Sequence, residues 1–385
     1  MENRSNGQIS LRCERVATRS GMITNAELII SDGAIVAVAP IDGRHQDQEL
    51  VTGWVLPGFV DTHGHGGGGH DYATTDPAEA LQGRDFHRRH GTTTAFASLV
   101  TAPIETLCAQ LATLGPLVVS GEFAGIHLEG PFLSAAKCGA HDPALLLAPE
   151  PRLVDQLLRA GDGRISMITI APELAGGLAA IERITAAGVV AAIGHTDGDE
   201  LVARQAVAAG ATVVTHLFNA MRPVHHRDPG PIPLLLSDDR IMVELIADGF
   251  HLHPDVVMMA LAAAGPERIA LITDAMVAAG MPDGRFELGR LRVQVRNGQA
   301  RLINPDGQLG SIAGSTLTMA AAVELMVGLG VPIPAVAQMA ASTPARNHGL
   351  SHVGEIAVGC AADLCVVDDH GALQRVMQSG VWMER

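Results

Sequence analysis

The chain has 385 residues and a formal net charge of −15, with 26 Lys and Arg against 41 Asp and Glu. That balance argues against sequence-independent nucleic-acid binding, which needs a basic face, and leaves any anionic substrate to a few local cations. Hydrophobic residues make up 47% and aromatics only 3%, the Ala, Val, Leu and Ile mixture of buried strands and packed helices rather than of disorder.

The polar start Met1-Glu2-Asn3-Arg4-Ser5-Asn6 lacks the apolar core of a signal peptide. No run of roughly 18 apolar residues occurs that would span a membrane. Cys13, Cys108, Cys138, Cys360 and Cys365 form no CxxC pair or zinc-finger spacing, which suits reduced thiols and a cytoplasmic location.

In chain order, strands are expected at Ile9–Leu11, Ala26–Ile30 and Ala34–Val38, with Ser31-Asp32-Gly33 turning the last two into a hairpin. Ala362–Asp368 and Val376–Trp382 also read as strands. Neither terminal piece buries a core alone, so the two ends, residues 1–54 and 355–385, are expected to join as a small β-sandwich. Residues 55–354 then form the main domain. There, short apolar runs ending in polar groups recur at Val55–Val60, Thr94–Ser98, Phe123–Leu128, Ile165–Ile170, Val189–Ile193, Thr212–Thr215, Met242–Ile246 and Ile269–Thr273. Helical stretches such as Leu178–Ala187 and Glu200–Ala209 separate them, the second closed by Gly210. Eight alternations of strand and helix predict an α/β fold, a (β/α)8 TIM-like barrel with its active site at the carboxyl ends of the strands. A doubly wound sheet would require a GxGxxG turn, which Gly66–Gly69 does not supply. Met281–Gly310 reads as a β-rich excursion with a hairpin at Gln294–Ala300, followed by helices at Ser315–Gly328 and Ile333–Ala345.

The residues just past these strands carry the chemistry. His63 and His65 follow the first run; two residues apart on an extended chain, their imidazoles point the same way. Glu129, His195, His216 and Asp274 follow the third, fifth, sixth and eighth. Histidines and carboxylates converging on one barrel mouth form the donor set of a catalytic divalent metal with an open position. Each residue has a plainer role by itself: a solvated histidine, a loop carboxylate at Glu129, a helix N-cap at Asp274. Five strands ending together in metal-type groups outweigh those separate roles.

The motifs PGFVDTHGHG, IHLEGPF, KCGAH, GHTD, THLFNAM, ADGFH and TDA, in that order, resemble the N-acetylglucosamine-6-phosphate deacetylase family of the amidohydrolase superfamily. The resemblance runs from about Gly33 to Asp368, and THLFNAM followed by HHRDPG is its most particular part. It implies Glu129, His195 and His216 as the principal metal ligands, with a second ion held by His63, His65 and Asp274 in some members. One or two divalent ions per subunit are expected, zinc first, with iron, manganese or cobalt as alternatives. Strand four ends in Ile170-Ala171-Pro172-Glu173 without lysine, so a carbamylated-lysine bridge is not expected, and Glu129 would bridge if two ions bind.

The resemblance further implies Asp274 as general base and then acid, and His141, beside Ala140 in the KCGAH loop, as a donor to the acetyl carbonyl. Arg227 and His251 would grip the 6-phosphate, Asn219 and Ala220 would orient the ligand, and Ile312-Ala313-Gly314 would contact the sugar through its backbone. Arg227 would reach the neighbouring active site, which implies a homodimer. The implied activity is hydrolysis of the acetamide of N-acetyl-D-glucosamine 6-phosphate, in amino-sugar catabolism or cell-wall recycling. Another amidohydrolase, a deaminase or cyclic amide hydrolase, has no evident use for Asn219, Ala220, Arg227 and His251. A non-catalytic scaffold on the same barrel would be free to lose Glu129, His195, His216 and Asp274. Cys138 reads either as an inert small residue or as a soft ligand on a mobile loop.

Overall fold

The computed structural model describes residues 8–19, 21–41 and 50–384; the polar segment Met1–Asn6 lies outside them. By contact density the chain divides into one unit of residues 1–61, 87–94 and 318–385, and a second of residues 62–86 and 95–317.

In the first unit, both chain ends meet in a seven-stranded sheet. Gln8–Thr18 pairs antiparallel with Gly21–Ser31, which turns through Asp32-Gly33 into Ala34–Pro40. Leu50–Pro57 runs parallel to the first strand, and Leu364–Val367 joins its other side antiparallel. Leu28, Ile30, Ile35, Val55, Leu364, Val366 and Met377 are buried together, each Val, Leu or Ile contributing roughly 1.5–3 kcal/mol of burial. The hairpin and the union of the two ends are as the sequence implies. The expected single run Val55–Val60 is corrected: it breaks at Gly58. Leu50–Pro57 belongs to the mixed sheet and Phe59–Asp61 begins the barrel. The break is local. Gly58 N–H turns to the Asp363 carbonyl at 2.8 Å, and a Cβ there would stand 2.1 Å from Thr93 Oγ1.

The barrel sheet has eight strands: β1 Phe59–Asp61, β2 Thr92–Val100, β3 Gly125–Glu129, β4 Ile165–Ile170, β5 Val190–Ile193, β6 Val213–Val214, β7 Met242–Ile246 and β8 Ile269–Ile272. They follow one another in chain order, and β2 to β8 pair in parallel throughout. Strands buried on both faces read as continuous apolar runs, which is why all eight are visible in the sequence. Past the strands, Asp274 N–H donates to the His63 carbonyl and His65 N–H to the Ala275 carbonyl, each at 2.7 Å, joining the ends of β1 and β8.

The barrel interior is layered. Met167, Ala192, Val213, Met242 and Ala270, one from each of β4 to β8, form an apolar floor. Strand side chains alternate, so the residues two further along also face inward: Thr169, Thr215 and Glu244, all fully buried. Arg285–Leu288, Leu291–Arg296, Gln299–Ile303 and Leu309–Ile312 form the antiparallel excursion expected after β8. The later helices differ from expectation at their ends. Met319–Gly328 starts after Thr318, whose hydroxyl caps Ala321 N–H, and a π-helical turn at Gln338–Ser342 divides the expected Ile333–Ala345. Among the described residues no helix is long and apolar enough to cross a membrane.

Candidate active site

The side chains at the barrel mouth are aimed by unusual backbone. His195, His216 and Asp274 have φ of +47°, +29° and +48°, the left-handed region that residues with a Cβ seldom occupy. At Asp274 the turn is held on both sides, its N–H on the His63 carbonyl and its own carbonyl on Ser315 N–H, each at 2.7 Å. β1 ends at Asp61, so His63 and His65 lie in the loop beyond it rather than on the strand. Ser98 N–H bonds the Gly64 carbonyl at 3.0 Å, and Gly64 N–H bonds Ser98 Oγ at 3.1 Å. The loop therefore delivers both imidazoles to one place: their Nε2 atoms are 3.2 Å apart.

Glu129, at the end of β3, lies at the centre. Its Oε1 is 3.1 Å from His195 Nε2, 3.0 Å from His216 Nε2 and 3.5 Å from His63 Nε2. Its Oε2 is 3.2 Å from His65 Nε2 and 3.3 Å from His141 Nε2. Asp274 Oδ1 stands 3.2 Å from His65 Nε2 and 3.6 Å from His63 Nε2. Two buried donor groups result, His63 with His65 and Asp274, and Glu129 with His141 and His195; His216 stands beside the second, its Nε2 3.0 Å from that of His195.

These donors fit divalent cations. Ligands at ~2.0–2.1 Å around a tetrahedral ion lie ~3.3 Å from one another, close to the spacings of both histidine pairs. The outer nitrogens agree. His65 Nδ1 is 3.2 Å from the Ser98 carbonyl and His195 Nδ1 is 2.8 Å from the Lys137 carbonyl. A carbonyl only accepts, so each Nδ1 carries the proton, and in the neutral ring Nε2 offers its lone pair inward. His63 Nδ1 faces Glu244 Oε2 at 3.3 Å, and His216 Nδ1 is buried without a hydrogen-bond partner.

His141 is oriented the other way. Thr101 N–H donates to its Nδ1 at 3.4 Å, so the neutral ring carries its proton on Nε2, at the cavity wall and 3.3 Å from Glu129 Oε2. Burial pushes its pKa down, against the pull of Glu129. For Asp274, burial works against ionisation, but the hydrogen bond from His65 and the charge of His63 bring its pKa down to about 2. Burial likewise opposes charge on His65, yet hydrogen bonds to Asp274 and Glu129 hold its imidazolium up to about 9. Glu129, despite burial, is held well below the usual carboxylate range by His63, His141 and His195.

The donors open on a cavity of about 380 Å³, which Ala140, Asn219, Ala220, His251, Ile312 and Gly314 also line. Asn219 Nδ2 is tied to the His216 and Leu217 carbonyls at 3.1 and 3.3 Å, and Ala220 has a φ of +51°. His251 Nδ1 lies 2.7 Å from Asp248 Oδ2. Ala313 turns its side chain into an apolar cluster with Met276 and Val293, leaving Ile312 and Gly314 at the cavity wall. Arg227 is exposed, with its guanidinium on His226, and is absent from the wall. Cys138 is half-buried and belongs to neither donor group. Glu173 accepts from Thr196 Oγ1 and Asp197 N–H at 2.5 and 2.7 Å, pinning the loop that carries His195.

The amidohydrolase family model matches residues 54–383. N-acetylgalactosamine-6-phosphate deacetylase of Escherichia coli O157:H7 is 36% identical, over 96% of this chain and 98% of its own. N-acetylglucosamine-6-phosphate deacetylase of Lysinibacillus sphaericus is 34% identical, over 95% of each chain. A mutant N-acetyl-D-glucosamine-6-phosphate deacetylase from Mycobacterium smegmatis, solved in complex with N-acetyl-D-glucosamine-6-phosphate, superposes with a TM-score of 0.93 at 42% identity, covering 98% of this chain and 99% of that one. This chain belongs to the N-acetylglucosamine-6-phosphate deacetylase family.

Several polar residues of this deacetylase-family site escape a reading of strand ends. Glu244 is inside β7, fully buried, one carboxylate oxygen on His63 and the other accepting from Thr62 Oγ1 at 3.0 Å. His127, inside β3, joins Ser98 Oγ at 3.0 Å and Thr169 Oγ1 at 2.8 Å, and Thr169 meets Thr215 at 2.8 Å. Burial and the nearby His63 push the His127 pKa well down. Lys137 lines the cavity, its Nζ 3.6 Å from Asp197. The available signal was a charged or imidazole side chain amid an apolar strand, as in Met242-Val243-Glu244-Leu245-Ile246.

Proposed function

We propose that this protein hydrolyses the acetamide of N-acetyl-D-glucosamine 6-phosphate, releasing D-glucosamine 6-phosphate and acetate. The observation that carries the reading is Glu129, one carboxylate between two convergent histidine groups at the wall of a sugar-sized cavity. The 42% identity over nearly the whole chain to a deacetylase holding that substrate supports the same reading.

Glu129, His195 and His216 would hold one divalent ion, and His63, His65 and Asp274 a second with Glu129 between them. Zinc is the expected ion for this donor set, with iron, manganese or cobalt as alternatives. A bound ion supplies a Lewis acid for the acetyl carbonyl and lowers the pKa of water at the site. Asp274, ionised at neutral pH, takes the proton from the attacking water and returns it to the departing amine. His141 presents Nε2–H to the cavity, as a donor to the oxygen on which negative charge develops. Asn219 and the Ala220 backbone orient the sugar beside the Ala140 and Ile312-Ala313-Gly314 segments, with His251 on the phosphate. Arg227, exposed and outside this cavity, would act on the phosphate in the active site of a second subunit of a homodimer. Its planar guanidinium suits phosphate oxygens. We further assign residues 1–54 and 355–385 to a sandwich domain, residues 55–354 to the catalytic barrel, and the protein to the cytoplasm.

The test is primary-amine release from N-acetylglucosamine 6-phosphate, N-acetylgalactosamine 6-phosphate and unphosphorylated N-acetylglucosamine, with metal counted on the same preparation. The reading expects the phosphorylated glucosamine derivative to be preferred and chelation to abolish turnover. Preference for the galactosamine epimer would keep the chemistry and change the sugar. No turnover of any of the three by metal-loaded protein would overturn it.

A further inference from the structure

The outer nitrogens of His63, His65, His195 and His216 have different surroundings. His65 and His195 each face a neutral backbone carbonyl, and the outer nitrogen of His216 has no hydrogen-bond partner. His63 alone faces a carboxyl group, that of Glu244. Glu244 is wholly buried on β7, and its second oxygen is fixed by the Thr62 hydroxyl. Among the described residues, His63 is the sole basic side chain within ion-pair distance of it. A buried carboxylate with so little compensation is costly unless positive charge lies within reach. Here that charge can arrive through the His63 ring.

We infer that Glu244 is a positioning residue for the cation at His63, His65 and Asp274: it fixes the His63 tautomer and supplies the negative charge that favours a second divalent ion at this position. The inference rests on the metal reading above and extends it to a residue inside the barrel, one inward step past the apolar floor. A carboxylate on Nδ1–H holds that proton, leaves Nε2 free and makes it a stronger donor. It also adds negative charge on one side. The His195 and His216 position has Glu129 as its carboxylate, whereas the His63 and His65 position has Asp274, a share of Glu129 and, through His63, Glu244. The ring is braced from its other side by His127, centroids 4.5 Å apart at 80°, whose nitrogens are engaged by Ser98 and Thr169. His63 can therefore change acceptor only by disturbing a buried network.

The experiment is chelator competition on the zinc-loaded full-length protein, reading ions per subunit and the affinity of each step, for wild type, Glu244→Gln, Glu244→Asp and His65→Asn. Glu244→Gln preserves shape and removes charge, so it should weaken one step by ~10–100-fold, the usual effect of losing such an outer partner. That step should be the one His65→Asn abolishes, while the other stays within about 2-fold. Glu244→Asp, which keeps the charge, should recover part of the loss. Should Glu244→Gln fail to fold, Thr62→Val, which frees one carboxylate oxygen, must weaken the same step to a smaller degree. The inference is overturned if both steps are unchanged, if both weaken equally, or if wild type binds a single ion that His65→Asn leaves in place. Wild type that binds no ion would instead overturn the metal reading itself.

Discussion

In metal-free protein the mouth is held together by protons in place of cations, and this makes its stability depend on pH in a defined direction. His65 is held up to about 9 by Asp274 and Glu129. A histidine raised above its unfolded value of about 6.5 contributes its full stabilisation below pH ~6.5, and that contribution is lost as pH rises through about 9. The shift corresponds to about 3 kcal/mol at ~1.4 kcal/mol per pH unit. His65 is only 2% exposed, so solvent screening removes little of this. At ~2 cal/mol/K of unfolding entropy per residue, that loss lowers the Tm of this 385-residue chain by roughly 4 °C. Asp274, depressed to about 2, describes the acid side of the same pair: its share is present above pH ~4 and lost as pH falls to about 2. Cation binding requires neutral imidazoles, so it must expel the His65 proton. Metal titration calorimetry in buffers of different ionisation enthalpy would count the protons. Close to one should come from His65 at pH 7.5, beyond any from His63, and that share should vanish above about pH 10. The rise in Tm on metal loading should grow between pH 6.5 and 9. A proton count equal at pH 7 and 10, with metal-free protein as stable at pH 9.5 as at 6.5, would refute the reasoning.

Asp274→Asn should lower kcat by ~10²–10⁴ with substrate affinity largely kept, measured by steady-state kinetics beside direct ligand binding; equal loss of both would remove its proton-transfer role. Arg227→Ala should raise KM for the phosphorylated sugar, and mixing it with Asp274→Asn should restore activity, since one site of the mixed dimer has Asp274 and Arg227 intact. Failure of mixed, subunit-exchanged protein to recover would place Arg227 outside the neighbouring site. Gly139→Ala puts a Cβ 3.1 Å from His195 Cε1 at a φ of +56°. It should cost ~10–100-fold in turnover by displacing a ligand, visible also as weaker metal retention; wild-type values for both would show the loop yields freely.

The fold was legible because its strands are buried on both faces. Eight apolar runs stand out when no strand alternates with solvent, and the positions of β4 and β7 follow directly. Where the reading slipped, a single residue explains it. Val55–Val60 is one apolar run by composition, but Gly58 redirects its N–H to Asp363 and hands the chain from one sheet to the other. The two imidazoles of the HxH segment do point together. They do so through the bonds between Gly64 and Ser98, not through strand alternation, which ends at Asp61.

The site was legible only at its rim. His195, His216 and Asp274 could be placed from their position after a strand, yet the positive φ that aims each of them leaves no trace in sequence, because none of the three is glycine. The deeper layer was hidden for the opposite reason. Glu244, His127 and Thr169 sit inside strands, where a polar residue in an apolar run reads as an interruption, and Thr215 directly follows β6. Their meaning depends on register: each is fully buried and faces inward, and Thr169, Thr215 and Glu244 stand two residues beyond the apolar floor formed by Met167, Val213 and Met242. Alternation makes the same faces recur at that step. A polar residue at the inward position next above that floor can reach the outer nitrogen of a rim ligand, whereas one residue either side it would face the helices. Glu244 satisfies that condition for His63 and His127 braces the same ring, so the barrel supports its donors from below through residues that only the pairing of neighbouring strands identifies.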